Sequence, residues 1–442
     1  MNKKVISAAI VAVFVLSALA TVIPVDDVEA DDSEYWEAVP LPIIQPRDSY
    51  DISVPGHLVW IQEQVQARNL GAGDTFKLVN DIDLSAKNIQ SPIGYGSVQF
   101  VSEFDGNGHS IIGLSLEYNA PYVGLFGYLG GGGNIHDLIL EDPNISSNKN
   151  YVGGIVGFIG VTAIVTDCAV IGGSVSGQSD VGGIVGHNAG SVTNCYNTST
   201  VRGSSNNIGG IVGNTYSNSD VSYCFNAGPV FGEANVGGIV GLNFNLGGVI
   251  YCYNSGTITG TDPNIGPVSG VVGNNNDGGI IEYVYNIGTI NASDRARETD
   301  VCGQNINGGT VRNAYSLATV ENNKGGRTAA QMTGTTAFTK MTGFNDREWT
   351  LKANDGSTLY APQLKKFAVS PATAETIAIS VESVKMTSGG SEGGSQGGSG
   401  GSGGSGGDDP DDGGDNTMLY IGIAAVAVVA VIGLLWFFVL KP

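Results

Sequence analysis

A parallel β-solenoid is the fold class that this sequence predicts: all-β, wound right-handed in about seven or more coils. Three observations predict it. First, the stretch Val152-Gly-Gly-Ile-Val-Gly157 returns as Val181–Gly186, Ile208–Gly213 and Val236–Gly241, with weaker copies at Val268–Gly273, Val123–Gly127 and Asp300–Gly303. The closing glycines fall at 127, 157, 186, 213, 241, 273 and 303, in steps of 30, 29, 27, 28, 32 and 30. A period in the range of about 20–50 residues marks stacked units, none of which buries its apolar face alone. Second, each period holds short β-prone pieces divided by glycine and asparagine, with no helical spacing, which excludes stacked helix pairs. Blades of a propeller need about 40 residues or more and are too long. Third, equivalent positions carry equivalent residues, as in-register stacking requires. Right-handed winding follows from the usual hand of parallel crossovers.

Composition agrees with stacked turns. Of 442 residues, 68 are glycine and only 14% are charged. The net charge of −21 opposes binding to nucleic-acid phosphates, and no basic cluster offsets it.

Taken in order, residues 1–30 read as a secretory signal: Lys3 and Lys4, the apolar run Val5 to Leu19, and cleavage after Ala20 or Ala30. Residues 31–56 form an irregular lead, acidic and then rich in proline. Residues 57–121 form an N-terminal cap and the first coils. Within them, His57 to Arg68 places Leu58, Ile61 and Val65 at helical spacing, with Gly71 as the stop. A helix laid over the open end of a solenoid core is a cap. Thr75 to Leu84 reads as strand, turn, strand, with Asp81 and Asp83 bonding nearby amides. His109 sits in the turn Asp105-Gly-Asn-Gly-His109 and is expected to be a turn side chain, because no second ligand stands at metal spacing.

The repeats occupy 122–325. Each coil shows three apolar segments: the Gly-Ile-Val-Gly stretch, a piece such as Ser191-Val-Thr-Asn-Cys-Tyr-Asn197, and a third such as Thr200-Val-Arg-Gly203. Asn188, Asn243, Asn275 and Asn305 follow the motif glycine by two places. Cys168, Cys195, Cys224 and Cys252 share one column, continued by Val284 and Ala314, which marks it as small and apolar. Disulfides between adjacent coils are the rival, although parallel side chains fit the disulfide dihedral poorly. Beside it run Tyr196, Phe225, Tyr253, Tyr285 and Tyr315, a candidate ligand face for sugar rings, and then Asn197, Asn226, Asn254 and Asn286, expected to bond one another along the axis. Asn144, Asn197 and Asn291 lie in glycosylation sequons.

The Gly-Gly-Ile-Val-Gly repeats, with Leu78-Val-Asn-Asp-Ile-Asp-Leu84 and Asp105-Gly-Asn-Gly-His109 before them, resemble the GLUG motif of bacterial and archaeal surface proteins. The resemblance spans roughly residues 57–367 and implies a right-handed β-helix in an extracellular, adhesin-like protein. It carries no catalytic, cofactor or metal residues. GLUG repeats also accompany a zinc metalloprotease domain in some IgA-cleaving proteases. This sequence has no His-Glu-x-x-His, and His57, His109, His136 and His187 are isolated along it.

Residues 326–386 break the period and resemble the closing segment of such proteins, a C-terminal cap followed by short strands. Residues 387–417, rich in glycine and serine and then aspartate, form a flexible linker with a reach of roughly 30 Å. Residues 418–440 are an uncharged apolar run of about 35 Å as a helix, enough for one transmembrane span, and 441–442 form a cytoplasmic tail. The layout predicts a cell-surface, single-pass membrane protein displaying a repeat rod to a glycan, a protein or a neighbouring cell, without enzymatic activity. An envelope component with no specific ligand is the alternative. A carbohydrate-active β-helix enzyme is the weakest reading, because no carboxylate pair recurs at one coil position.

Overall fold

A computed structural model describes residues 35–41, 49–261, 266–292, 298–317, 325–332, 334–352, 358–365 and 367. The expected signal, linker, transmembrane run and the strands at 377–384 lie outside these. Among the described residues no helix is long and apolar enough to cross a membrane.

The chain winds into a parallel β-solenoid. One ladder runs Ser49–Ile52, Thr75–Leu78, Glu103–Asp105, Asn134–His136, Ile164–Thr166, Ser191–Thr193, Asp220–Ser222, Gly248–Ile250, Ile280–Asn286 and Thr310–Leu317, all parallel and in register, so there are about nine turns. The five coils from Phe126 to Ser269 each have five walls rather than the three expected segments. In one coil they are Val185–Asn188, Ser191–Thr193, Tyr196–Asn197, Thr200–Gly203 and Asn206–Gly209. The second and third walls belong to one 18-stranded sheet, the first and fourth to 7-stranded sheets, and the fifth to a 6-stranded sheet. The repeated motif is therefore not one strand. Val181–Gly182 ends the fifth wall, Val185–Asn188 begins the first wall of the next coil, and the corner falls between them.

Side chains from every wall meet in one core, including Val152, Ile155, Val156, Val192, Val201 and Ile208, all fully buried. The motif glycines are needed for close approach between coils. A Cβ on Gly153 would overlap the Val156 carbonyl oxygen, and one on Gly154 would overlap the Gly183 carbonyl oxygen. The left-handed turns fall instead on other residues. Just before the motif stand Tyr122, Tyr151, Asp180, Asn207 and Asn235, with φ from 49° to 67°. Between the second and third walls stand Asp137, Asp167, Asn194, Tyr223, Tyr251, Tyr283 and Asn313, with φ from 48° to 58°. Asn and Asp tolerate this region, whereas tyrosine is rarely found there.

The expected N-terminal helix is present as Pro55–Gln66. Leu58, Ile61 and Val65 insert into the core, as a cap requires. It stops at Ala67 and the left-handed Arg68 rather than at Gly71. In the lead, residues 36–41 have no regular element but are tied down, with Trp36 N–H donating to the Asn88 carbonyl, Val39 N–H to the Gly56 carbonyl and Leu41 buried, whereas Ser49–Ile52 is a strand rather than irregular chain. The strand, turn and strand at 75–84 stand as expected.

The C-terminal segment differs in placement from the expected cap. Helices Ala329–Met332 and Gly334–Lys340 and the antiparallel hairpin Trp349–Lys352 with Thr358–Leu364 lie along the side of the solenoid, over its third wall. Phe367 packs on Tyr196 and Phe225, Trp349 on Tyr253 and Tyr285, and Phe344 on Tyr285 and Tyr315. This strap spans five coils.

Candidate functional site: an aromatic groove on the first wall

The predicted ligand face is a stacked column, but it is not a surface. Tyr196, Phe225, Tyr253 and Tyr285 stack with centroids 5.0 Å apart and planes within 5°. Phe225, Tyr253 and Tyr285 are fully buried under the strap, and Tyr315 nearly so. The Tyr285 hydroxyl donates to the Pro362 carbonyl, and that of Tyr315 to the Thr342 carbonyl at 3.3 Å. Burial holds the Tyr253 and Tyr285 phenols well above their ordinary pKa. The reason is apolar area: five rings in a row need cover, and the chain supplies it.

The other predicted columns are structural. Asn197, Asn226, Asn254 and Asn286 donate amide to amide at 2.8–2.9 Å. Asn197 is fully buried in that ladder, which removes it as a glycosylation acceptor, whereas Asn144 and Asn291 are exposed. A second ladder links Thr215, Asn243, Asn275 and Asn305 at 2.6–2.7 Å. Cys168, Cys195, Cys224 and Cys252 are buried and free, with no disulfide. Burial raises the Cys168 and Cys224 thiols well above their usual range.

Three of the four histidines expected to be isolated meet acids in the fold: His109, His136 and, on the first wall, His187. His109 Nδ1 meets Asp81 at 3.1 Å, and Asp81 also accepts from the Ser110 amide. His136 lies opposite Asp105, with Nε2 on Glu103 and Nδ1 on Asp137, both at 2.9 Å. The ligand atoms of Asp105, His136 and Asp137 lie within 4.8 Å of one another. Lys77 also pairs with Asp105, at 3.1 Å, so cationic side chains already face these carboxylates.

The accessible site lies on the first wall. The third residue of each strand there points outward: Tyr128, Phe158, His187, Asn214, Leu242, Asn274 and Gln304 stand in register. The left-handed residues before the motif make a second column beside it. In the N-terminal coils both columns are aromatic. Tyr122 stacks on Tyr151 at 5.1 Å and 8°, and Phe158 stacks on His187 at 4.7 Å and 4°. Tyr128 meets Phe158 edge-on at 4.8 Å, and Tyr151 meets His187 edge-on at 5.5 Å. Tyr128, Tyr151, Phe158 and His187, with Val161, Ala189 and Tyr216, line a groove of about 400 Å³. Val161 and Tyr216 are 63% and 44% exposed, so the apolar floor faces solvent. Burial raises the Tyr128 and Tyr151 phenols, the latter also by the Asp180 charge, so both remain neutral hydroxyls at physiological pH.

In the following coils the same two columns become polar. Asp180, 6% exposed, accepts from Asn207 at 2.7 Å, from Asn214 at 3.2 Å and from His187 Nδ1 at 3.0 Å. Asn235 donates to Asn207, and Asn274 to Asn235. The Oδ1 atoms of Asn214 and Asn274 are buried without a partner. The strip thus joins ring faces to a row of amides. These positions were open to sequence reading as the residues flanking each motif copy. The aromatic-rich third wall drew attention instead, because its column is longer and more regular.

Residues 177–202 match the model of the GLUG motif. That coil carries the GLUG motif, and the coils on either side of it repeat the same Gly-Gly-Ile-Val-Gly stretch. The chain is 35% identical over 124 residues to halomucin of Haloquadratum walsbyi, a match covering 26% of this chain and spanning about 1% of that relative's length. A solved structure from Bacteroides ovatus, provisionally described as an immunoglobulin A1 protease, aligns with a TM-score of 0.49 at 19% identity, covering 72% of this chain and 92% of that one.

Proposed function

We propose that this GLUG-repeat solenoid is a non-enzymatic, adhesin-like cell-surface protein, held by one C-terminal membrane span, that binds a saccharide in the first-wall groove. The observation that carries this reading is the groove itself: partly exposed Tyr128, Tyr151, Phe158 and Tyr216 beside amide-bearing Asn207 and Asn214. Sugar rings offer apolar C–H faces to aromatic rings and hydroxyls to amides. Repetition along the axis at about 4.8 Å per coil would let neighbouring coils meet successive units of one chain. Right-handed winding, expected from parallel crossovers, belongs to the same reading. The lone carboxylate among the described residues of this strip, Asp180, is held by three donors, whereas glycoside hydrolysis needs a free pair.

Glycan-array binding by the full chain tests this. Phe158→Ala and Tyr151→Ala should each weaken the bound glycan at least tenfold, about 1.4 kcal/mol, without lowering the melting temperature by more than a few degrees. Absence of glycan binding together with ordered self-association favours a structural envelope component, and release of sugars from a polysaccharide sinks the non-enzymatic reading.

A further inference from the structure

At the N-terminal end lies a cleft of about 860 Å³ with no part in the groove, formed by the lead, the helix Pro55–Gln66 and the turn carrying Gln90 and Tyr95. The helix sinks Leu58, Ile61 and Val65 into the core and turns Gln62 and Gln66 to the cleft. These stand four residues apart, on one helical face, with Cβ atoms about 5–6 Å apart. Three atoms lining the cleft are buried without a partner: Gln62 Oε1, Gln66 Oε1 and the indole Nε1 of Trp36. The Gln62 amide nitrogen donates to Ser91 Oγ, and its carbonyl is the end without a partner. A buried polar group without a partner is desolvated with no compensating bond, so three in one cleft are a penalty that a matching ligand would remove.

The unmet set is two acceptors and one donor. Glu37 and Glu63 add exposed carboxylates to the lining. The Trp36 ring already has the Lys87 ammonium 5.7 Å from its centroid, so its surroundings suit a cation. A complementary ligand carries several N–H donors, positive charge and one carbonyl. We infer that this cleft binds a basic residue within a peptide segment: its guanidinium donates to Gln62 Oε1 and Gln66 Oε1 beside Glu63, and a peptide carbonyl accepts from Trp36 Nε1. A saccharide hydroxyl could meet the donor and acceptors but would gain nothing from the two carboxylates.

Isothermal titration of the full chain with Gly-Arg-Gly amide is the test, with Gly-citrulline-Gly amide as the neutral isostere and free arginine as the non-peptide source of the same group. Saturable binding of the arginine peptide, at least tenfold tighter than the citrulline peptide and than free arginine, is expected. Gln66→Met should lose tenfold while melting like the parent, and Trp36→Phe, which keeps a ring and removes the donor, should narrow the preference for peptide over free arginine. Equal binding of the citrulline peptide overturns the charge argument. Binding of free arginine as tight as peptide overturns the role of Trp36. No saturation up to about 10 mM overturns the site.

Discussion

Gly210 and Asn226 show how one residue licenses another two walls away. The Asn226 amide is fully buried, donates to Asn254 and to the Gly228 carbonyl, and accepts from Asn197. It can lie where it does because Gly210 has no side chain: a Cβ there would overlap both the Asn226 amide and the Gly238 carbonyl. The same pairing joins Gly183 to Asn197, Gly238 to Asn254 and Gly270 to Asn286. In the preceding coil Gly154 faces Val170 instead of an asparagine. Gly210→Ala should therefore cost about 3 kcal/mol or more, since the obstacle includes backbone. Asn226→Leu should cost about 1–3 kcal/mol by leaving one Asn197 amide hydrogen unmet, while Asn254 Oδ1 loses one donor and keeps the Gly256 N–H. Denaturant titration measures both. The double mutant should be less damaging than the sum, because the two changes share one contact. The asparagine ladder was legible in the sequence as a column. Its dependence on the second motif glycine was not, because the partners are 16 residues apart and only the fold brings them together.

His136 is the other residue-scale case. Burial disfavours its charged form, but hydrogen bonds to Asp137 and Glu103, with the nearby charge of Asp105, outweigh this and raise its pKa above 6.5. A raised folded pKa means that the ionised cluster stabilises fully below about 6.5, the unfolded value, and that this contribution is lost as pH rises through the folded value. The melting temperature of the parent chain relative to His136→Gln should accordingly be highest below pH 6.5 and shrink above it. A difference independent of pH would remove the imidazolium from the account.

At the scale of strands and columns, register decides what a residue does more than its type. Tyr223, Tyr251 and Tyr283 occupy left-handed positions, with φ of 54°–55°, that cost a non-glycine residue about 1–2 kcal/mol each. They stack at 4.8–4.9 Å, which offsets part of that cost. Their neighbours one place on, Cys224, Cys252 and Val284, point inward to the core. Substitution of cysteine by valine along the column made this apolar reading legible. The five walls were less so, because a wall of two or three residues between left-handed corners leaves too short a stretch for alternation to show. The corners themselves were half legible: Asn194 and Asp180 are ordinary turn residues, whereas Tyr151 and Tyr251 are not. The cysteine column yields a direct expectation. A thiol reagent at pH 8 should find Cys168, Cys195, Cys224 and Cys252 unreactive in the native chain and all of them reactive in denaturant, since burial blocks access. Cys302, half-buried and outside the column with its pKa pushed up to about 12 by burial, should react slowly. Rapid native labelling of four thiols would mean that the column opens.

For the whole solenoid, the decisive feature is which lateral face the described residues cover and which they leave open. Both the first and third walls carry stacked rings, yet the strap lies only on the third. The centre of that cover is Trp349, fully buried and within 6.2 Å of Tyr253, 5.6 Å of Tyr285 and 4.6 Å of Phe344. Trp349→Ala should cost about 3–5 kcal/mol. The loss should fall on the strap before the coils, because coil-to-coil ladders do not pass through it. A spectrophotometric titration of tyrosine separates the two. In the parent chain Tyr253 and Tyr285 are held neutral well above pH 10 by burial, so their contribution to stability persists below that value and is lost only as pH rises through the raised one. In Trp349→Ala two more tyrosines should titrate near pH 10 while the far-ultraviolet β signal is retained. If the β signal collapses with them, the strap is part of the solenoid's cooperative unit. If no further tyrosine titrates, Trp349 is not what closes this face, and the strap's hold rests on Phe344 and Phe367.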